Sequence, residues 1–327
     1  MTALSLFVLL AAGIAGYVSW AGHRIAQGDP VWWFVALAPL AYLLPVLLLA
    51  ALWFTLSWIW RTPRPPAQEL GPLGAARLFF GEVGAIATSW PLMILHRFLI
   101  RDPAPAAASL PVLLVHGVMV NDGVWFRLRR DLSRRGIGPV YTINYGPPLA
   151  DIEHFAAQLA TRIEAVCSIT GAPKVALVGH SMGGLVSRAY LRRVGADRVA
   201  SLTTIGTPHH GSMLAWTFVG LCLAQMRPGS RWLARINADE SEPPPAPLTS
   251  IWSRHDSMVA PQASAELACA RNVAVVGIGH NALLNDRDVA MQAAQAISAT
   301  TDALAAPALV PGDRQSGRAS DSGARPP

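Results

Sequence analysis

The chain has 327 residues, 52% of them hydrophobic and 14% charged, with a formal net charge of +6. That length fits one large domain or two small ones. The charged share is well below the usual quarter, and the deficit is local: between Met1 and Trp60 only Arg24 and Asp29 carry a full charge. The remainder has the composition of a soluble domain of roughly 240 residues plus a tail, long enough to bury a core. The positive balance is almost all arginine, with Lys174 the only lysine. The cluster Arg127, Arg129, Arg130, Arg134 and Arg135 falls on one expected helix without interleaved aromatics, so nucleic acid is not an expected partner. Three widely spaced cysteines, Cys167, Cys222 and Cys269, make neither a disulfide framework nor a zinc site, and fit a reducing compartment.

Ala3 to Gly22 is an uncharged run of about the ~20 residues needed to cross a bilayer. Val31 to Trp60 is a second, longer than a ~30 Å hydrocarbon core requires, so it must tilt, kink or protrude; Pro39 and Pro45 offer kinks. Trp20, Trp32, Trp33, Trp58 and Trp60 sit near the run ends, where indoles favour the headgroup region. A cleaved signal peptide is the competing reading of the first run. MTALSL lacks the basic n-region such a peptide needs, and a second span follows at once. The expectation is a retained transmembrane hairpin over residues 1–60. Arg61, Arg64 and Arg77 follow the second span against Arg24 alone in the loop, which favours an inner-membrane protein with its main domain in the cytoplasm.

Residues 61–110 read as a connector. RTPRPPAQELGPLG is proline-rich and irregular. The apolar ARLFFGEVGAIATSWPLMILHRFLI is broken by Glu82, Pro91, His96 and Arg97; it is a third span or, favoured by those breaks, an interfacial or domain-covering helix. Between 111 and 303 short apolar runs alternate with helical periodicity. PVLLV, VYTINY, KVALVG, VASLTTIG, LTSIWS and NVAVVG read as strands. VWFRLRRDLSRRG, residues 152–166, MGGLVSRAYLRRV and a closing segment with Val289, Ala293 and Ile297 read as helices. This alternation predicts an α/β domain, a mostly parallel sheet with helices on both faces. Residues 304–327 have the composition of a disordered tail.

Gly179-His180-Ser181-Met182-Gly183 matches G-x-S-x-G. It follows the strand VALV and opens a helix, the context a nucleophile elbow requires. Glycine at 179 and 183 lets neighbouring chains approach a sharply turned serine, and the helix N-terminus favours developing negative charge. A serine hydroxyl needs a base. Partners in this arrangement follow in the order serine, acid, histidine, which selects Asp256 after LTSIWS and His280 after NVAVVGIG. Asp286 and Asp288 are weaker choices for the acid because they follow the histidine. The expected oxyanion donors are the N–H groups of Met182 and of Val118, on the loop VHGVMVNDGVW, with Gly117 allowing close approach and His116 bracing the loop. The His209-His210 pair in TIGTPHHGS lacks a third metal-ligand partner of recognised spacing and reads as a structural loop. No metal or cofactor is expected.

LLVHG, VALVGHSMGG, TPHHGS, SIWSRHDSMVAP and VVGIGHNALL together resemble bacterial triacylglycerol lipases and esterases of the α/β-hydrolase superfamily, over about residues 110–300. The resemblance implies an α/β-hydrolase fold, a Ser181–Asp256–His280 triad, Val118 and Met182 as oxyanion donors, and ester hydrolysis through an acyl-serine. The chain departs from those exported lipases in its two candidate spans and in the longer region 213–247, which is a lid over the site or core helix. The leading expectation is a membrane-anchored serine hydrolase acting on lipid or other hydrophobic esters. The same triad also serves acyl transfer or thioester cleavage, and a non-catalytic membrane interaction module is the alternative of another class. Oligomeric state is not legible here.

Overall fold

The computed structural model describes residues 3–305; the tail beyond Ala305 lies outside the described residues, as do the first two positions. Two helices open the chain, α1 (Ala3–Ala26) and α2 (Val31–Ile59). Trp20 of α1 meets Phe34 of α2 edge to face, and Tyr17 Oη donates to the Phe34 carbonyl. Helix α2 is long and apolar enough to cross a membrane. Its 29 residues span about 44 Å at 1.5 Å each.

The apolar part of the connector forms α3 (Pro72–Ile94), which starts with proline at its first position and runs three residues past Pro91. A short helix, α4 (His96–Leu99), follows. Helix α3 covers other parts of the chain. Val83 and Ile86 pack on Val46 and Ala50 of α2. At its other end Asn121 donates to the Met93 carbonyl, and a Cβ at Gly123 would lie 2.4 Å from the Leu92 carbonyl oxygen.

Six strands then alternate with helices: β1 (Val112–Val115), α5 (Phe126–Arg134), β2 (Val140–Ile143), α6 (Ile152–Thr170), β3 (Val175–His180), α7 (Met182–Val194), β4 (Val199–Ile205), α8 (Leu221–Gln225), α9 (Arg231–Ile236), β5 (Leu248–Ser253), β6 (Arg271–Val275) and α10 (Arg287–Ala305). The sheet order is β2-β1-β3-β4-β5-β6 and every pairing is parallel. Strand alternation sorts the core. Leu113, Val115, Val175 and Leu177 face α6 and α7, while Val112, Leu114, Ala176 and Val178 face α5 and α10. Parallel strands covered on both faces explain why these runs are uninterruptedly apolar. Asp151 caps α6 by accepting from Glu153 N at 2.7 Å, and Gly171 ends it in the left-handed region. Helix α10 continues to Ala305, two residues into the expected tail.

Candidate active site

The central strand β3 delivers Ser181 to the carboxyl edge of the sheet, where α7 begins. Its φ of 54° and ψ of −127° are those of a strained turn that a non-glycine residue rarely adopts. The turn is possible because its neighbours lack side chains. A Cβ at Gly183 would lie 2.0 Å from the Val115 carbonyl oxygen, and one at Gly179 would lie 2.6 Å from Gly184 N.

His280 and Asp256 come from loops after β6 and β5. His280 Nδ1 donates to Asp256 Oδ2 at 2.9 Å, with both side chains nearly inaccessible. The other carboxylate oxygen, Oδ1, accepts from Met258 N and Val259 N at 2.7 Å each, which fixes the carboxylate plane. Ser181 and His280 line one cavity. Among the described residues the Ser181 hydroxyl makes no side-chain hydrogen bond; hydrogen bonds at catalytic sites often tighten only when substrate binds. Burial pulls the His280 imidazole down, but the Asp256 charge and hydrogen bond, with the Glu82 charge behind them, outweigh it and raise the histidine above its ordinary value.

The other buried histidines go the opposite way. Desolvation pushes His116 and His255 down to about 4 and holds His180 and His209 neutral as well. His116 stacks on Tyr145 with ring centroids 4.2 Å apart, and its Nδ1 donates to the Gly117 carbonyl at 2.8 Å, a bracing arrangement for the loop. That loop presses on the serine: a Cβ at Gly117 would be 3.0 Å from Ser181 Cβ. Val118 follows on the cavity wall. Met182, in the first turn of α7, has an N–H without an intrahelical acceptor. Both N–H groups thus belong to the backbone that flanks Ser181.

His209 and His210 diverge. The first is buried against Thr204 Oγ1 at 3.1 Å and the Arg188 guanidinium; the second reaches outward to Glu240 at 2.8 Å. Asp286 accepts from Asp288 N and Val289 N at the start of α10 as a helix cap, whereas the carboxylate bonded to the His280 ring is Asp256. Among the described residues no group of three or more His, Cys, Asp or Glu side chains is arranged to hold a metal ion.

The cavity over Ser181 has a volume of about 290 Å³ and is almost wholly apolar. Region 213–247 divides. Leu214, Phe218, Leu223 and Met226 line this cavity, with Trp216, Val219 and Leu221 exposed at its outer side. Helix α9 instead packs beneath α7, where Arg188 donates to the Ile236 carbonyl. The opposite wall comes from outside the α/β region: Leu49 and Trp53 of α2 with Ile86, Trp90 and Met93 of α3. Sequence reasoning missed this wall, and also missed Glu82. Among the residues of α3 only Arg77 and Glu82 are charged, so a lone carboxylate on an apolar helix was the available signal.

Residues 111–221 match the family described as the alpha/beta hydrolase fold. Two triacylglycerol lipases are similar in sequence. One, from Pseudarthrobacter phenanthrenivorans, is 42% identical over 118 residues, covering 34% of this chain and 36% of the relative. The other, from Burkholderia plantarii, is 42% identical over 154 residues, covering 41% and 42%. The chain thus spans well under half the length of these curated relatives. Among solved structures, Aspergillus fumigatus lipase B superposes with a TM-score of 0.54 at 22% identity, covering 63% of this chain and 57% of that one. The mature Bacillus licheniformis lipase BlEst2 gives 0.51 at 19%, covering 58% and 93%. The parallel sheet and strained serine turn are those of an α/β-hydrolase fold. In sequence, 118 to 154 residues of the chain are similar to bacterial triacylglycerol lipases.

Proposed function

We propose that this chain is a membrane-anchored serine hydrolase that cleaves carboxylic esters of lipids or similarly hydrophobic acyl groups. The observation that carries the reading is the buried His280–Asp256 pair lining the same apolar cavity as a serine held at φ 54°.

In this reading Ser181 Oγ attacks the ester carbonyl while His280 Nε2 takes its proton. Asp256 holds the imidazole tautomer and stabilises the imidazolium. The N–H groups of Val118 and Met182 receive the oxyanion; losing one such donor costs ~3–4 kcal/mol in the transition state. His280 then protonates the leaving alcohol, and water, deprotonated by the same imidazole, releases the acid from the acyl-serine.

The acyl chain lies in the apolar cavity, and the wall from α2 supports a substrate drawn from the bilayer. Helix α2 spans the membrane, with α1 as its hairpin partner, and residues 111–303 form the hydrolase unit. The arginine asymmetry supports a cytoplasmic hydrolase unit on an inner membrane. The test is a chain-length series of p-nitrophenyl esters with the purified full chain, with and without micelles. Turnover that favours long chains, rises at interfaces and vanishes in Ser181→Ala is expected. Absence of turnover on every ester, or a Ser181→Ala variant at wild-type rate, contradicts the proposal.

A further inference from the structure

The search outside the triad leads to Glu82. Its side chain is fully buried, and it comes from α3, far in sequence from everything it touches. Its Oε1 accepts from Ser257 Oγ at 2.8 Å, Asn281 Nδ2 at 2.8 Å and Asn281 N at 3.0 Å. Its Oε2 accepts from Ala282 N at 3.0 Å and Asn281 N at 3.1 Å. Ser257 in turn accepts from the backbone N–H of His280 at 3.4 Å. The carboxylate is seated against the chain just before the histidine: a Cβ at Gly279 would lie 2.4 Å from Oε2. Among the described residues no cation pairs with it; the compensation for burying it comes from hydrogen-bond donors around His280. A buried carboxylate is costly unless its lone pairs are satisfied in this way.

We infer that Glu82 is a positioning residue for the hydrolase, a carboxylate supplied by the connector helix that fixes the His280 turn in its working geometry. The inference rests on the hydrolase reading above. The turn from Gly279 to Ala282 carries the general base on a loop, and loops need external bonds to hold a side chain to a fraction of an ångström. Glu82 gathers the N–H groups on one side of His280 directly and the N–H of His280 itself through Ser257. Its negative charge also faces the imidazole as that ring becomes cationic. The titratable groups facing His280 are Asp256 after β5, Glu82 on α3, and His180 at the end of β3, which burial keeps neutral. Glu82 therefore does two things for the base: it orders the turn and supports the imidazolium. It also makes the segment before the α/β domain part of the catalytic apparatus.

The test compares Glu82→Gln with Val83→Ala, a packing variant on the same helix, in the full chain in detergent micelles. Both are assayed for kcat, KM, thermal unfolding and pH profile on a p-nitrophenyl ester that wild type turns over. Glu82→Gln keeps the shape but turns an NH2 toward N–H donors. The expected result is a fall in kcat of ~10- to 100-fold with KM within about twofold, and an acidic limb displaced to lower pH. Val83→Ala is expected to lower the unfolding temperature without moving the limb. A Glu82→Gln enzyme with wild-type kcat and limb overturns the inference while leaving the hydrolase reading intact. Wild-type protein that turns over no ester overturns both. If Glu82→Gln does not fold, Ser257→Ala, which cuts the link to His280 N–H, is expected to reduce kcat with the same KM; an unchanged kcat there overturns the inference.

Discussion

Ser57 on the apolar helix α2 donates its hydroxyl to the backbone carbonyl of Asp256 at 2.8 Å, and Gln262 Nε2 bonds both groups, at 2.9 and 3.1 Å. The candidate membrane span thus touches the residue that holds the candidate catalytic histidine. The contact is buried and continues at Arg64, which donates to the Arg254 carbonyl at 2.7 Å, and at Thr62, bonded to Gln262 and Ala263.

Sequence reading alone suggests that removing residues 1–60 releases a soluble, active domain unless the connector packs into the membrane. The contacts at Ser57 and the cavity wall from Leu49 and Trp53 predict otherwise. Deleting residues 1–60 is expected to give a fragment that aggregates or loses at least ~100-fold in ester turnover. Size-exclusion chromatography and turnover check this; a monodisperse fragment at wild-type rate contradicts it.

The wall residue Trp53 is expected to set acyl preference. Trp53→Ala enlarges the apolar cavity and shifts the optimum toward longer or bulkier acyl chains, with a change of about tenfold in the ratio of kcat/KM values. The p-nitrophenyl series measures it. An unchanged chain-length profile means that the acyl group lies elsewhere.

The pH dependence has a definite sign. His280 is raised above its ordinary value, and as the proposed general base it acts only when neutral, so activity is expected to fall as pH drops through that raised value. The other buried histidines, already neutral there, do not produce this limb. Asp256→Asn removes the largest raising influence, so the limb moves to lower pH while kcat falls by about 10⁴. The linked stability has the opposite sense. The ion pair stabilises the fold fully below the unfolded histidine's value and is lost as pH rises through the folded one. A kcat/KM profile flat from pH 5 to 8 contradicts the assignment.

Gly183→Ala tests the elbow through stability. Its new Cβ would lie 2.0 Å from the Val115 carbonyl oxygen and 2.6 Å from that of His116, both main-chain atoms that cannot rotate away. The substitution is expected to cost about 3 kcal/mol, read as a Tm drop of roughly 6–12 °C. An unchanged Tm means that β1 and α7 are not packed this closely.

The α/β alternation was legible because the central parallel strands, β1 and β3, are buried along their length and leave short apolar runs, and Ser181, Asp256 and His280 each follow a strand. Helix α6 was legible through its spacing from Ile152 to Val166. What could not be read was how distant segments meet. Nothing local to Ser57 or to Gln262, some 200 positions apart, signals a mutual hydrogen bond. Glu82 was visible as an interruption in an apolar run, but its donors lie about 200 residues downstream. Region 213–247 was ambiguous for a different reason: its apolar residues serve two surfaces, the cavity roof from Leu214 to Met226 and the packing of α9 on α7.

The most direct test of the account is fluorophosphonate labelling of the full chain in micelles, followed by intact mass and peptide mapping. The account predicts one adduct, on Ser181, formed in wild type, slowed in Asp256→Asn and absent in Ser181→Ala. An adduct on another residue, or equal labelling of Ser181→Ala, contradicts it.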